Sequence, residues 1–155
     1  MSGVDFSTAS PDQIAAVEPA EFVRIVRRMS DKQVDQVMAS PNRGLIIEAI
    51  FRRMPGLFRP DRARGVTATT HWSITGRPEG GTDDWTVRLA DGTCTCTPGH
   101  DGEPTVSLTM APVDFTKVVT RRGNPTMMFM TGRIKATGDL ALARRIAGFF
   151  EIPKP

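Results

Sequence analysis

The chain has 155 residues, 39% of them hydrophobic and 24% charged, with a formal net charge of +3. That suits one globular domain, and no apolar run exceeds about four residues, far short of the ~20 that a membrane-spanning helix needs. Two cysteines, Cys94 and Cys96, stand one residue apart, which excludes a disulfide framework and points to reduced thiols. The opening Met1-Ser2-Gly3-Val4-Asp5 is neither basic nor apolar, so no signal peptide is read and cytoplasmic residence is the expectation. Lys32, Lys117, Lys135 and Lys154 are the only lysines among 20 basic residues. Arginine pairs at 27–28, 52–53, 121–122 and 144–145 are scattered, each towards the end of an expected helix, where cations favour the dipole. Nucleic-acid binding would favour a dense basic stripe interleaved with exposed aromatics, so no nucleic-acid partner is expected.

In chain order, the first sixty residues predict four short helices. Ser10-Pro11-Asp12-Gln13 combines an N-cap Ser, Pro at the first helical position and a capping-box Gln. Glu18-Pro19 restarts a helix striped by Phe22, Val23, Ile25, Val26 and Met29. Ser30-Asp31-Lys32-Gln33 is a second capping box, leading to Val34, Val37 and Met38. Ser40-Pro41 is expected to open the fourth helix, with Ile46, Ile47, Ile50, Phe51 and Met54 on one side, and Pro55-Gly56 to stop it. Such short helices must pack on a larger body.

From about Val66 the period becomes two. Trp72 and Ile74, then Trp85, Val87 and Leu89, then Cys94 and Cys96, then Val106, Leu108 and Met110 alternate with polar residues. Each strand shows one apolar and one polar face, as in a sheet covered on one side, and the four read as a meander. Asp91-Gly92 marks a tight turn, and 76–83 and 98–104 are polar Gly/Pro loops. The period then returns to helical. Pro112 starts a helix with Phe115, Val118 and Val119; Asn124-Pro125 opens a short one through Met127-Met128-Phe129-Met130; and Arg133–Thr137 forms a last strand. Asp139 caps a final helix with Leu142, Ile146, Phe149 and Phe150. The fold class is α+β, with helices segregated on one face of the sheet.

Groups able to do chemistry are sparse. Cys94-x-Cys96 with His71 and His100 lacks zinc spacing and a second thiol pair, so the cysteines read as small strand hydrophobes and His100 as a solvated turn residue. Asp83-Asp84 lie side by side on a strand and point to opposite faces, so they cannot converge on one bond. No phosphate loop, nucleophile elbow or dinucleotide fingerprint is present. The all-round apolar Met127–Met130 segment suits a cavity for flexible lipids, because Met packs adaptably.

The run from Asn124 to Ala143, with its Gly132-Arg133-Ile134-Lys135-Ala136-Thr137-Gly138-Asp139 core, strongly resembles the end of the sterol carrier protein type-2 domain. Thr105–Met110 and the following Pro112–Phe115 helix start are similar to that family's central strand and helix. The resemblance covers roughly Leu45 to Pro155 and is most specific over Phe129–Asp139. It implies a five-stranded, mostly antiparallel sheet with helices on one face and an apolar tunnel between the layers. It also implies non-catalytic binding or transfer of a fatty acyl, acyl-CoA, phospholipid or sterol-like lipid, with no cofactor and with room for transient membrane contact. The tunnel-facing residues it implies are Leu108, Met110, Phe115, Val118, Met127, Met128, Met130, Ile134, Ile146 and Phe149. Residues 1–40 then form an N-terminal helical extension and 41–155 the lipid-binding domain. The peroxisomal Ser-Lys-Leu-type ending is lacking, as in stand-alone bacterial relatives. The rival expectation is an accessory or regulatory subunit of an acyl-CoA- or steroid-metabolising enzyme.

Overall fold

A computed structural model describes residues 4–153. Helices α1 (Pro11–Ala15), α2 (Pro19–Arg28), α3 (Asp31–Met38) and α4 (Arg43–Leu57) come first. Both capping boxes form as expected. Ser10 accepts from Gln13 N at 3.2 Å and Ser30 from Gln33 N at 3.1 Å, while each Gln side chain accepts from its Ser backbone N–H at 2.8 Å. Two boundaries differ from expectation. Ser40 donates its hydroxyl to Val37 O at 2.6 Å and so closes α3, and α4 starts at Arg43. Its N-cap, Asn42, instead donates its amide to Phe6 O and Ala9 O at 2.9 and 2.8 Å, tying down the segment before α1. Helix α4 also runs through Pro55 to Leu57, because a proline this near the end deprives only one carbonyl of a partner.

The sheet comprises β1 (Ala68–Ile74), β2 (Asp83–Ala90), β3 (Thr93–Pro98), β4 (Val106–Met110) and β5 (Ile134–Gly138), in the order β3-β2-β1-β4-β5. Three pairings are antiparallel, but β1 and β4 are parallel, with Trp72 opposite Leu108. The expected four-strand meander is therefore corrected: β1-β2-β3 is one, and the chain then crosses back to the far side of β1. A parallel pair cannot be joined by a tight turn. The connection lies across the outer face of the sheet, where Asp101 N donates to Thr86 Oγ1 at 2.9 Å and Thr105 N to Thr69 O at 2.7 Å. It buries Thr86 and His71, which alternation alone would leave wet. His100 is exposed, as expected of a turn residue, but it is not without partners. Its ring stacks on His71 with centroids 4.4 Å apart and its Nε2 lies 3.1 Å from Trp72 O.

Helices α5 (Pro112–Val119), α6 (Pro125–Met130) and α7 (Leu140–Ile146) complete the fold, α7 continuing as a 3-10 turn, Ala147–Phe149. Phe51 of α4 is wholly buried at the centre of the core. Its ring stacks on Trp85 at 4.8 Å and Phe115 at 5.3 Å and meets Trp72 edge-on at 5.8 Å. The chain end returns to α4: Arg59 N donates to Phe149 O, and Glu151 N to Leu57 O, both at 2.8 Å.

Arg43, 4% exposed, joins the two layers. Its guanidinium donates to Ile74 O at 2.9 Å, Thr75 O at 2.8 Å and Gly76 O at 3.0 Å, and its Nε pairs with Asp83 at 2.6 Å. Gly138 is a second fixed point. Its φ is +95°, and a Cβ there would collide with the Thr105 carbonyl, which accepts from Asp139 N at 3.0 Å.

Replacing Arg43 by Met should cost about 3–5 kcal/mol, because Asp83 and a row of buried carbonyls lose their donor together. Chemical denaturation of Arg43→Met beside the wild type measures this directly. Gly138→Ala should cost on the order of 3 kcal/mol through positive φ and the backbone collision, readable as a matching fall in the denaturation midpoint.

Candidate functional site: an apolar cavity under helix α2

Helix α2 presents Phe22, Val23 and Val26 to the body of the protein, and all three are buried. Arg24, Arg27 and Arg28 face outward. The fit beneath α2 is incomplete and leaves a cavity of about 60 Å³. Its roof is Pro19, Phe22 and Val23, one side is Ile50, Met54 and Leu57 of α4, and its floor includes Trp72 of β1. The opposite wall is Val118 and Val119 of α5 with Ile146, Ala147 and Phe150 from the chain end. Behind Trp72, Val118, Ile146 and Ala147, which border both spaces, a second cavity of about 20 Å³ runs between the sheet and α6–α7. Leu108, Met110 and Ile134 form its sheet side, and Phe129 and Ala143 its helical side.

Polar groups on the wall are few and already occupied. Thr120 donates its hydroxyl to Thr116 O at 2.6 Å. Arg53 donates to Ala49 O, Ile14 O and Val17 O at 3.0, 3.1 and 2.7 Å, and its guanidinium lies 4.5 Å over the Phe22 ring. Burial pulls its pKa down, with Glu18 opposing. The wall thus offers dispersion contacts and no nucleophile or general base.

Of the ten residues expected at a tunnel, Val118 and Ile146 line both cavities, and Leu108, Met110 and Ile134 line the inner one. Phe115 is buried in the aromatic stack, and Met128 and Phe149 are buried in the core away from both cavity walls. Met127 and Met130 depart from the expectation: they lie on the outer surface, 52% and 74% exposed. A helix of six residues has only one side to lay against the body, and α6 turns Met128 and Phe129 inward. Sequence reasoning did not assign Phe22, Val23, Ile50, Met54, Trp72 and Phe150 to the site. Their signal was present as apolar stripes, which look the same whether the stripe meets a filled core or a gap.

The other groups considered for chemistry stand apart. Cys94 and Cys96 are free thiols on the sheet face that α4 covers, whereas His71 and His100 stack on the opposite face. The neighbouring thiol is the main influence on each cysteine: with burial adding to it, it raises the pKa of Cys96, and it lowers that of Cys94. Among the described residues no group of three or more His, Cys, Asp or Glu is placed to hold a metal ion. No described helix is long and apolar enough to cross a membrane.

Comparison with known proteins matches this architecture. Sterol carrier protein 2 from Homo sapiens is 32% identical over 69 residues, 44% of this chain and 13% of that protein. Hydroxysteroid dehydrogenase-like protein 2 from Rattus norvegicus is 31% identical over 104 residues, 64% of this chain and 19% of that protein. The chain therefore spans less than a fifth of either relative's length. Among solved structures, palmitated SCP2L2 from Aedes aegypti superposes with a TM-score of 0.53 at 22% identity, over 70% of this chain and 94% of that one. A sec-alkylsulfatase from Pseudomonas shares the fold over 96% of this chain and 33% of its own, with a TM-score of 0.53 at 12% identity, so helices and sheet recur there together. The model of the SCP-2 sterol transfer family matches residues 47–151, and the chain belongs to that family.

Proposed function

We propose that this protein binds a lipid with a long alkyl chain, between the sheet and helices α2, α5 and α7, and carries it without altering it covalently. The observation that supports this best is the pair of adjoining apolar cavities bordered by Trp72, Val118, Ile146 and Ala147. Together they trace a path from beneath α2 to the inner strands β4 and β5. That path is lined almost wholly by side chains whose only offer is apolar contact. Family membership and the palmitated Aedes aegypti relative support the same ligand class.

At about 60 Å³ the larger cavity is well below the ~300–1,000 Å³ of ordinary ligand sites. Entry of an acyl chain therefore requires a wall to yield, and α2 is the wall best suited to it. It is a ten-residue helix whose burial rests on one apolar stripe, whereas on the opposite wall α7 packs against β4 and β5. In this reading α2, within the N-terminal extension that runs to residue 40, is the movable cover of the lipid-binding unit that begins near residue 41. Val118, Ile146, Leu108, Met110 and Ile134 touch the chain, while Phe115, Met128 and Phe149 support the wall from behind. Free neighbouring thiols at Cys94 and Cys96 suit a reducing compartment such as the cytoplasm.

Ala147→Phe adds bulk at the border of the two cavities. It should weaken binding of a fluorescent C16 fatty acid by at least about tenfold, equal to ~1.4 kcal/mol, with the melting temperature held within a few degrees. Unchanged binding in a normally folded variant would place the ligand elsewhere. Phe22→Ala should cost about 3 kcal/mol of stability while opening the space beneath α2, seen as increased binding of an apolar dye under native conditions. Native mass spectrometry of the protein from its own host separates carrier from enzyme subunit: co-purified lipid supports the carrier, and a stoichiometric enzyme partner supports the subunit.

A further inference from the structure

The apolar cavity opens towards two surface clefts, and charge distinguishes them. One cleft adjoins it at Pro19 and Arg53, between α1 and α4. Its ionisable residues are Glu18, Glu48, Arg52 and Arg53, two of each sign. Arg52 pairs with Glu48 at 3.2 Å, and Arg53 is committed to backbone carbonyls. That cleft is balanced and offers an anion little.

The second cleft, about 610 Å³, adjoins the cavity at Thr120, Ile152 and Pro153, which line both. Its ionisable residues are Arg27 of α2, Arg62, Arg121 and Glu151. Among the described residues Arg27 is exposed and makes no ion pair. Arg121, at a φ of +57°, donates to Ala147 O at 3.2 Å and Phe150 O at 3.0 Å, so it anchors the cavity wall, and it pairs with no carboxylate among the described residues. Glu151 is shared by two guanidiniums, Arg62 at 2.9 Å and Arg59 at 3.5 Å. Three cations therefore face one already divided anion beside an apolar opening. A guanidinium is the side chain best matched to a planar carboxylate or a phosphate.

From this arrangement we infer that the ligand is an anionic amphiphile, a long-chain carboxylate or phosphate monoester, whose charged end sits among Arg27, Arg62 and Arg121 while its chain enters the cavity under α2. This inference rests on the proposed lipid cavity and adds to it the polarity and orientation of the ligand. Arg27 gives α2 a second role. The helix that roofs the chain also carries a cation to the headgroup, so a bound anion draws the roof towards the Arg121 side. Glu151 opposes the ligand by competing for Arg62. Two groups of opposite sign thus make opposite predictions from one site.

The test compares three C16 ligands on the full-length protein: the fatty acid, the alkyl phosphate and the uncharged fatty alcohol. The anions should bind at least about tenfold more tightly than the alcohol, and raised salt should narrow the gap because exposed charges are screened. Arg27→Glu should weaken both anions about tenfold and Arg27→Gln about threefold, with the alcohol unchanged in each. Glu151→Gln should tighten the anions two- to fivefold and leave the alcohol alone, a gain that a damaged fold cannot produce. A preference for phosphate over carboxylate, or the reverse, identifies which headgroup the arginines serve, and either supports the site. Equal binding of all three ligands, indifferent to Arg27 and Glu151, overturns the headgroup site and leaves the cavity standing. If none of the three binds, both readings fall.

Discussion

The architecture depends on a single buried guanidinium. Arg43 begins α4, the helix that carries Phe51 into the core, and its donors reach the carbonyls at the end of β1 and the carboxylate that begins β2. Those carbonyls lie where the sheet runs out of pairing partners, and buried backbone groups without partners are costly. A planar fork with five N–H donors satisfies several of them at once and fixes the helix in register with the sheet. The aromatic stack of Phe51, Trp72, Trp85 and Phe115 then forms with little freedom left to choose its geometry. Where α4 meets α2, the same fixed geometry leaves the gap that becomes the cavity.

The elements were largely legible because their signals are local. Ser10, Ser30, Asn124 and Asp139 each accept a backbone N–H at the helix start they mark, and strand alternation found the sheet's inner face. The resemblance carried by Gly138-Asp139 has a physical basis. Gly138 is the position where a side chain would strike the Thr105 carbonyl, and Asp139 is the next helix cap. Misreadings arose where long-range contacts decide. Nothing local says that β4 lies beside β1, so β1 to β4 read as a meander and the polar face as wet. His71 and Thr86 are buried only because a loop far along the chain passes over them.

The site was legible in part, and for the same reason. Leu108, Met110, Val118, Ile134 and Ile146 line cavities because their strands and helices point them inward, which periodicity reports. The run Met127–Met130 misled because four apolar residues in a short helix state composition and not direction. Only docking against the body separates Met128 from Met127 and Met130. The roof residues Phe22 and Val23 were identified as a buried stripe, but whether a stripe meets a full core or a void depends on volumes across the whole chain.

The walls of the cavity come from segments more than a hundred residues apart in the sequence: Pro19, Phe22 and Val23 on one side, Ile146, Ala147 and Phe150 on the other. During synthesis α2 leaves the ribosome well before the residues it will face, because chains are made from the N-terminus at ~5–20 residues per second. Until residue 150 emerges, the apolar stripes of α2 and α4 have no complete surface to cover. The cavity therefore closes only after residue 150 has emerged, and a chain stopped before Ile146 would keep half of its wall. A cavity walled by segments this far apart in sequence thus takes shape only once both have been made.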